Sequence, residues 1–373
     1  MPKIQTVEAC AVRVPLNKTT SFATRVVTGR EYLLVRVTGD DGVTGIGFCY
    51  LGTAGGRLGT ISVREVLAPA VVGKDTHAPE AIWQSMYDEA LIQGRTGVVM
   101  RAISAIDTAI WDRNARAAKL PLHKFLGAHR TDTVPAYASG GYYLDGKSPQ
   151  DLGRELAGYV SAGFRAVKMK VGRLGLDEEE ERLRVARESV GDDVLIMLDA
   201  NNAWRDVPTA LRYMDRYERH DPYWIEEPFS PDDIDAHAQL AERCRTTVAT
   251  GEIEYGRWRH KELVEKGAAA ILQTDAAVCG GITEFRRIAA FADCHSIMLC
   301  PHWYHDLHAP LVASIPNGQY VEFFIDSEVF NFRELIDRQL GFRDGMLELH
   351  QEPGLGFNFD DKAVKRFVTD PWG

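Results

Sequence analysis

Short apolar segments alternate with helical segments from residue 133 onward, and this alternation dominates the chain. Such segments, spaced by roughly 20–32 residues, are typical of parallel β/α units. They cover residues 134–139, 166–171, 194–200, 223–228, 247–252, 271–276, 297–302 and 321–325. Eight parallel strands of this kind predict a closed barrel of about 200 residues, with an active site at the carboxyl ends of the strands.

The first 130 residues follow a different pattern. An alternating segment at 3–16 and two more around the turn Asp40-Asp41-Gly42 predict a small antiparallel sheet. Three helices are predicted to follow, and they cover 60–72, 79–93 and 97–119. The barrel pattern stops near residue 345. We therefore predict an α+β domain over 1–130, a barrel domain over 131–344, and a segment over 345–373 that returns to the first domain.

The net charge changes the picture by excluding partners. At a formal charge of −10 over 373 residues, nucleic acid and anionic membrane surfaces are unfavourable partners, whereas a small anionic substrate is still compatible. The six cysteines form no C-x-x-C pair, and no segment has the length and apolarity of a signal peptide or a membrane span. We expect a soluble cytoplasmic protein with a small-molecule carboxylate substrate, without nucleic acid or membrane partners, that forms a homo-oligomer.

Three successive predicted strands end in an acidic residue, namely Asp199, Glu226 and Glu252. Because the carboxyl ends of neighbouring parallel strands meet at one rim, the three carboxylates would lie side by side and repel one another. A divalent cation that prefers oxygen ligands removes this repulsion, and we predict Mg²⁺. A single strand-end acid is as often a helix cap, so the series carries the prediction.

Candidate bases flank these acids on both sides. Lys168 and Lys170 share one face of the preceding strand, and their mutual repulsion favours the loss of one proton. Beyond the acids, Asp275 can fix the imidazole tautomer of His302. A metal between two bases suits removal of a proton from the carbon next to a carboxylate, because the metal and a hydrogen-bond donor stabilise the enediolate. Glu322, if burial keeps it protonated, is the predicted donor.

Another metal is also compatible with the pattern. His302, His305 and His308 form an H-x-x-H-x-x-H run, which is a possible zinc pattern, although zinc sites more typically combine such histidines with cysteines or other spacings. Pro301 and Pro310 bracket the run. We favour additional polar lining of a pocket over zinc for His305.

The ordered strand-end motifs resemble those of the enolase superfamily, specifically its mandelate racemase subgroup. The motifs are K-M-K at 168–170, L-D-A-N at 198–201, W-I-E-E-P at 224–228, G-E at 251–252, D-A-A-V-C-G-G-I-T-E at 275–284, P-H at 301–302 and V-E-F-F at 321–324. The resemblance implies a (β/α)7β TIM-like barrel with an α+β N-terminal capping domain completed by the C-terminal segment. It also implies Mg²⁺ as cofactor, with Asp199, Glu226 and Glu252 as ligands in preference to the adjacent Glu227 and Glu254.

The resemblance further implies roles for the remaining residues. Lys170 is one base and the His302–Asp275 dyad is the other. Lys168 is expected to bind the substrate carboxylate and to lower the pKa of Lys170. Ser139 and Asn201 are expected to contact the substrate, and Glu322 to act as the electrophilic acid.

The reaction depends on loops that depart from the mandelate pattern. Their polar residues suit a polyhydroxylated acid or a diacid better than an aryl group; they are Thr24, Arg25, Thr28, Arg57, His305 and Asp306. We predict substrate binding by Thr24, Arg25 and Asp306, and dehydration of an aldonic or aldaric acid to a 2-keto-3-deoxy acid. A racemase, epimerase or cycloisomerase of a 2-hydroxy or related carboxylic acid is the alternative; a zinc hydrolase and a catalytically silent binding barrel are further ones.

Overall fold

The N-terminal domain is built on an antiparallel sheet. The computed structural model describes all 373 residues. Its first strands are β1 (Ile4–Ser21), β2 (Val26–Gly39) and β3 (Thr44–Tyr50). Strands β2 and β3 pair from Tyr32–Tyr50 to Thr38–Thr44, so the predicted hairpin is confirmed. Its turn places Gly42 at a φ of 79°, a backbone conformation that glycine adopts without steric cost.

Helices cover one side of this sheet. They are α1 (Gly56–Ile61), α2 (Ala68–Val71), α3 (Pro79–Gln93), α4 (Gly97–Ala117) and α5 (Leu122–Phe125), with a π-helical stretch at Ser62–Leu67 between the first two. Helix α4 lies directly against β3: a Cβ atom added to Gly47 would come within 1.9 Å of the carbonyl oxygen of Ala105. Glycine is therefore required at position 47 by the close approach of the two elements.

The barrel strands run parallel and follow one another around the ring. They are β4 (Thr133–Ser139), β5 (Ala166–Lys170), β6 (Leu195–Asp199), β7 (Pro222–Glu226), β8 (Thr247–Thr250), β9 (Ile271–Leu272), β10 (Met298–Leu299) and β11 (Val321–Phe323). Each pairs with the next from β4 to β10, and β11 pairs with β4. Between β10 and β11 there is only the isolated bridge Leu299–Gly318, so the hydrogen-bonded ring has a seam there.

Helices connect the strands and cover the outside of the ring. They are α6 (Pro149–Ser161), α7 (Leu176–Val190), α8 (Val207–Tyr217), α9 (Ile234–Arg243), α10 (Gly256–Glu265), α11 (Ala276–Cys279), α12 (Gly281–Cys294) and α13 (His305–Ser314), with 3₁₀ turns at Glu218–His220 and Asn331–Leu335. The order of elements is that of the predicted (β/α)7β barrel. No helix of the molecule has the length and apolar character required to cross a lipid bilayer.

The C-terminal segment divides between the two domains. Strands β12 (Gly341–Arg343) and β13 (Met346–Glu348) form a hairpin that pairs antiparallel with β4 of the barrel. Within the predicted returning segment, residues 346–348 therefore pair with the barrel and not with the first domain. After α14 (Asp361–Phe367), strand β14 (Val368–Asp370) does join that domain, because it pairs with β1. The division at residues 130 and 345 stays a prediction.

Two apolar clusters position the active end of the molecule. The largest buried cluster runs from the cap sheet through α4 into α11 and α12, so the cap and the barrel share one core. A second cluster fills the barrel with one side chain from each of seven successive wall segments; these are Tyr137, Ala166, Met197, Trp224, Ala249, Ile271 and Cys300. Since side chains alternate along a strand, Ala166 inside the barrel puts Lys168 and Lys170 inside as well, closer to the strand's carboxyl end.

Candidate active site

Lys168 is the centre of a buried charge cluster inside the barrel. Its ammonium nitrogen lies 2.7 Å from Oε1 of Glu226, 2.8 Å from Oε1 of Glu322 and 3.7 Å from Oδ2 of Asp199. The side chain is only 1% exposed. Burial alone would lower the pKa of Lys168, but the surrounding carboxylates outweigh it and raise the pKa well above its ordinary value. Lys168 is therefore a fixed positive charge.

Lys170 points from the same strand face into a cavity and pairs with Asp199. The two residues are opposite each other on β5 and β6, and the ammonium group donates a hydrogen bond to Oδ2 of the carboxylate. Burial lowers the pKa of Lys170, as does the nearby Lys168, but the charge of Asp199 prevails and raises it. The expected lowering of the Lys170 pKa is thus wrong for this structure, because the direct ion pair exceeds the repulsion between the lysines.

The predicted metal ligands come from neighbouring segments of the ring. Asp199 and Glu226 are paired residues at the ends of β6 and β7, and Glu252 follows β8 by two residues. All three are buried. Burial and the charge of Asp199 raise the pKa of Glu226 well above its ordinary value, and burial together with Glu227 raises the pKa of Glu252 to about 7. Close carboxylates thus oppose one another's ionisation.

This donor set fits a divalent cation in its chemistry. Carboxylate oxygens are the ligands that Mg²⁺ prefers, and Oε2 of Glu252 and Oε1 of Glu227 are buried without a hydrogen-bond partner. In the arrangement observed, no group of three His, Cys, Asp or Glu side chains is placed to hold one ion. Lys168 and Lys170 instead neutralise Glu226 and Asp199 directly. The alternative ligand Glu254 forms an ion pair with Arg259 at 3.2 Å.

His302 and Asp275 form the predicted dyad. Nδ1 of the imidazole lies 3.1 Å from Oδ2 of Asp275, and Nε2 lies 3.4 Å from Oε1 of Glu252. Burial lowers the pKa of His302, but Glu252 and Asp275 outweigh it and raise the pKa to about 9. Asp275 caps α11 by accepting a hydrogen bond from the backbone N–H of Ala277 at 2.8 Å. The dyad is therefore held by a helix start as well as by its own contact.

The two other histidines of the H-x-x-H-x-x-H run lie in different surroundings. His308 is behind Asp275: its Nε2 lies 3.3 Å from Oδ1 of that carboxylate and accepts the backbone N–H of Ala276 at 3.0 Å. His305 is fully buried, with Nε2 3.4 Å from Nη2 of Arg333. The three imidazoles do not converge on one point. The zinc interpretation has no support in this geometry.

Glu322 is not the protonated donor that the sequence suggested. One of its oxygens lies 2.8 Å from Lys168, and the other accepts the backbone N–H of Trp303 at 2.7 Å. Burial raises its pKa, but Lys168 and His302 outweigh burial and lower the pKa to about 2. In this structure Glu322 is an ionised acceptor, because a buried lysine supplies the compensating charge that the sequence could not reveal.

A cavity of about 610 Å³ lies between the barrel and the cap. Barrel residues in its wall include Lys170, Asn201, Asn202, Glu227, Glu252, Asp275, His302, Trp303 and Glu322. Thr24 and Arg25 contribute from the loop between β1 and β2, and the Thr24 hydroxyl donates to the carbonyl of Asn201 at 3.2 Å. Oδ1 of Asn201 is buried without a partner. The cavity therefore combines both candidate bases with polar groups from the cap.

Some predicted pocket residues lie elsewhere. Asp306 is fully buried in the first turn of α13, 3.3 Å from the His305 imidazole, and its assignment to substrate binding is wrong. Burial raises its pKa to about 7. Ser139 is buried beside Lys168 on the neighbouring strand, and it borders an adjacent cavity instead. Thr28, Arg57 and His305 are absent from the wall of the catalytic cavity.

Comparison with known proteins agrees with this architecture. A family model described as mandelate racemase / muconate lactonizing enzyme, N-terminal domain, matches residues 4–127, and one described as enolase C-terminal domain-like matches residues 151–363. The chain belongs to the mandelate racemase/muconate lactonizing enzyme family. The resemblance found in the strand-end motifs is confirmed.

Relatives within this family cover nearly the whole chain. The chain is 33% identical over 368 residues to 3,6-anhydro-α-L-galactonate cycloisomerase of Streptomyces coelicolor, covering 98% of this chain and 99% of that protein. It is 34% identical over 368 residues to L-talarate/galactarate dehydratase of Salmonella typhimurium, covering 97% of this chain and 90% of that protein.

Solved structures in the family share the fold. A racemase from Streptomyces coelicolor A3(2) with bound magnesium superposes with a TM-score of 0.92 at 32% identity, covering 98% of this chain and 100% of that one. L-Talarate dehydratase from Polaromonas sp. JS666, complexed with Mg and L-glucarate, gives a TM-score of 0.92 at 32% identity, covering 100% of this chain and 99% of that one.

Sequence reasoning missed three residues of this family member's site. His308 was considered only as a zinc ligand, and its place behind Asp275 depends on the start of α13. Arg30 and Arg101 also line the cavity, from β2 and from α4. Arg30 follows Arg25 by only five residues, on β2, and this proximity is the only signal for it in the sequence. Nothing in the amphipathic pattern of α4 distinguishes Arg101.

Proposed function

We propose that this protein removes the proton α to the carboxylate of a sugar acid and eliminates the β-hydroxyl, giving a 2-keto-3-deoxy acid. One observation carries the proposal: Lys170 and His302 border the same cavity from opposite ends of the Asp199, Glu226 and Glu252 series. Two groups that can transfer protons, next to several carboxylates, suit the removal of a proton from carbon. The dehydratases among the relatives support this choice.

The reaction needs one group to accept a proton and one to donate it. In the proposed sequence the C2–H bond breaks, and the electron pair forms the enediolate of the substrate carboxylate. The proton moves to Lys170, which acts as the neutral amine once its ion pair with Asp199 has opened and its own proton has left to solvent. The C3–O bond then breaks, and the departing hydroxyl takes a proton from His302 to leave as water. The resulting enol becomes the 2-keto acid. His302 suits the donor role because its neighbours raise its pKa to about 9.

Other residues of the cluster hold the substrate in place. Lys168 lies next to Lys170 but behind the cavity wall, so its fixed positive charge is suited to attract the substrate carboxylate from there, and Glu322 keeps Lys168 oriented. Asn201 offers the cavity a side-chain amide with an unpartnered Oδ1. Asp199, Glu226 and Glu252 are the residues that would hold Mg²⁺, which when bound supplies positive charge next to the developing enediolate.

A second candidate is an isomerisation that begins with the same proton transfer. Two bases on one cavity could remove a proton from one side of C2 and return it from the other, which inverts the configuration. The cycloisomerases among the relatives also favour reactions without net loss of water.

A substrate panel tests the proposal. Protein supplied with Mg²⁺ is incubated with aldonic and aldaric acids in D₂O, and 2-keto-3-deoxy products and C2 deuteration are measured together. Keto product is the expected result. Deuteration with inverted configuration and no keto product would replace dehydration by isomerisation. Neither product nor deuteration from any acid, with Mg²⁺ bound, would refute both candidates and favour the silent binding barrel.

A further inference from the structure

Two arginines face the catalytic cavity from the cap along a connected surface. The guanidinium carbon of Arg30 lies 4.7 Å from the ring centroid of Trp303. Trp303 stacks on Tyr50 at 6.1 Å with an interplanar angle of 25°, and Nη1 of Arg101 donates to the Tyr50 carbonyl at 2.8 Å. All four residues border the cavity that contains Lys170 and His302. Together with Arg25, these two arginines give the cap three positive charges on the wall of the cavity.

Arg30 differs from the other buried arginines of the chain. Three arginines are buried, and two of them, Arg113 and Arg182, form ion pairs with Asp41 and Glu179. Arg30 is 3% exposed, yet it forms no ion pair with an acidic side chain; its one hydrogen bond runs from Nη1 to the backbone carbonyl of Val329. A buried charge without a counter-ion is unfavourable. Arg30 therefore lacks a negative partner within the protein.

Arg101 also lacks a free acidic partner. Its Nε atom lies 3.3 Å from the hydroxyl of Tyr255, and no carboxylate is in ion-pair contact with it. Burial lowers the pKa of Arg101, but Tyr255 and, more weakly, Cys49 and Asp275 outweigh burial and raise it; Asp275 is the one carboxylate among them. That carboxylate is already engaged by His302 on one oxygen and by the backbone N–H of Ala277 on the other. Asp275 is therefore not available to pair with Arg101.

We propose that Arg30 and Arg101 form an anion subsite for a second carboxylate of the substrate, which makes the preferred substrate an aldaric acid. This inference rests on the proposed function, because it assumes that the first carboxylate binds at the Lys168 and Lys170 end. A guanidinium group binds a carboxylate through parallel hydrogen bonds, and in a water-poor cavity such a contact is strong. The substrate would then supply the counter-ion that Arg30 lacks.

Matched pairs of acids test the subsite. Each aldaric acid is compared with the aldonic acid of the same chain length and configuration, for wild type and for R30M, R101M and R30K. Wild type should prefer the diacid. We expect R30M to lower kcat/KM for the diacid about 100-fold and R101M about 10-fold, with aldonate values changed by less than about threefold. R30K, which keeps the charge without the fork, should recover part of the loss.

R286M is the control variant. Arg286 is exposed and packs over Trp111 at 5.3 Å, so its substitution removes the same charge from an aromatic contact on a different part of the surface. Its kcat/KM values for both acids should equal those of wild type. Thermal unfolding of every variant identifies loss of folding, which matters for R30M because Arg30 also holds Val329.

Calorimetric binding separates failure of the subsite from failure of the proposed function. With Mg²⁺ present, wild type should bind aldarates more tightly than aldonates, and R30M should abolish this difference even if no acid is turned over. Equal losses on both acids in folded R30M would make Arg30 a structural residue and overturn the subsite. Preference of wild type for aldonates, or for aldonates with a terminal phosphate, would overturn the dicarboxylate assignment while leaving α-proton abstraction intact.

Discussion

The barrel wall and the cap wall of the cavity treat charge in opposite ways. On the barrel wall both candidate bases have acidic partners within the protein, Lys170 with Asp199 and His302 with Asp275. On the cap wall Arg30 and Arg101 have no acidic partner. Groups that transfer protons or hold an ion need partners that are already in place within the protein. Groups that select a substrate can instead form their ion pairs with the substrate itself. The difference suggests that the barrel supplies chemistry and the cap supplies selection.

The sharpest way to break this comparison is to remove the bases of the barrel wall. K170M and H302N should each lower kcat by about 10³-fold or more, because each removes a proton-transfer group. Turnover of the best acid from the substrate panel is the measurement. K266M and H295N substitute an exposed lysine and an exposed histidine outside the cavity and should match wild type. If folded K170M and H302N retained turnover, the chemistry would not belong to this wall.

Asp107 connects the cap to the barrel, and the stability of the protein should depend on pH through this contact. It lies on α4 and accepts hydrogen bonds from Thr283 of α12, at 2.8 Å from the backbone N–H and 2.6 Å from the hydroxyl. Burial raises its pKa from 3.8 to about 7. The folded state therefore favours the protonated form of Asp107. Its contribution to the free energy of unfolding is fully present below pH 4 and is lost as the pH rises towards 7; the loss is at most about 4 kcal/mol.

The isosteric variant D107N isolates that titration. Asparagine can accept the backbone N–H of Thr283 through its oxygen and donate to the Thr283 hydroxyl through its amide group, but it does not ionise. Its free energy of unfolding, measured by urea titration from pH 4 to pH 8, should fall less than that of wild type. Parallel pH curves for the two proteins would contradict the assignment.

The contact between β3 and α4 in the cap leaves no space for a side chain at Gly47. G47A should destabilise the protein by about 3 kcal/mol, because the new methyl group meets the carbonyl of Ala105 and β3 must move away from α4. G158A is the control: a Cβ atom at this exposed helical glycine has no neighbour within 4 Å, so it should stabilise by about 0.5 kcal/mol. Urea unfolding compares the two, and equal stabilities would show that the cap sheet is free to shift.

The smallest expected effect sharpens the account of the barrel wall. H308Q should lower kcat about 10-fold and leave KM within about threefold, because His308 limits the rotation of Asp275 without reaching the substrate. H237Q replaces another buried histidine, in α9, and should leave both constants unchanged. A loss of stability in H308Q with unchanged kcat would make His308 a packing residue only.

The same contrast explains how far the sequence could predict the site. Parallel strands bring residues at their ends together, so Lys170, Asp199, Glu226 and His302 could be identified as neighbours from spacing alone. Charge compensation could not be predicted, since the ionised state of Glu322 depends on a lysine that reaches it from another strand. The prediction for Asp306 is wrong for a related reason: no residue of α13 reaches the cavity wall, and the sequence does not show where the helix lies relative to the cavity.

The architecture was more predictable than the cap wall. Apolar runs and the Asp40-Asp41-Gly42 turn identified the barrel and the hairpin. The pairing of β13 with β4 was missed, because a three-residue strand carries too little alternation to reveal its partner. Arg101 illustrates the remaining limit: its position at the cavity depends on where α4 meets the loop after β8, which is a tertiary contact.

The seam between β10 and β11 has a consequence for how the protein loses activity on heating. Only Leu299 and Gly318 bridge β10 and β11, so this is where the ring has least backbone cohesion. His302 follows one side of the gap and Glu322 stands on the other. Moderate heating should separate β10 from β11 first, so the backbone amide protons of these strands should exchange with solvent earlier than those of the other barrel strands. The His302 imidazole would then lose its position, whereas Lys168, Lys170 and the carboxylates on β6 and β7 are held by continuous strand pairing. Activity should therefore be lost at a lower temperature than the one at which the protein unfolds.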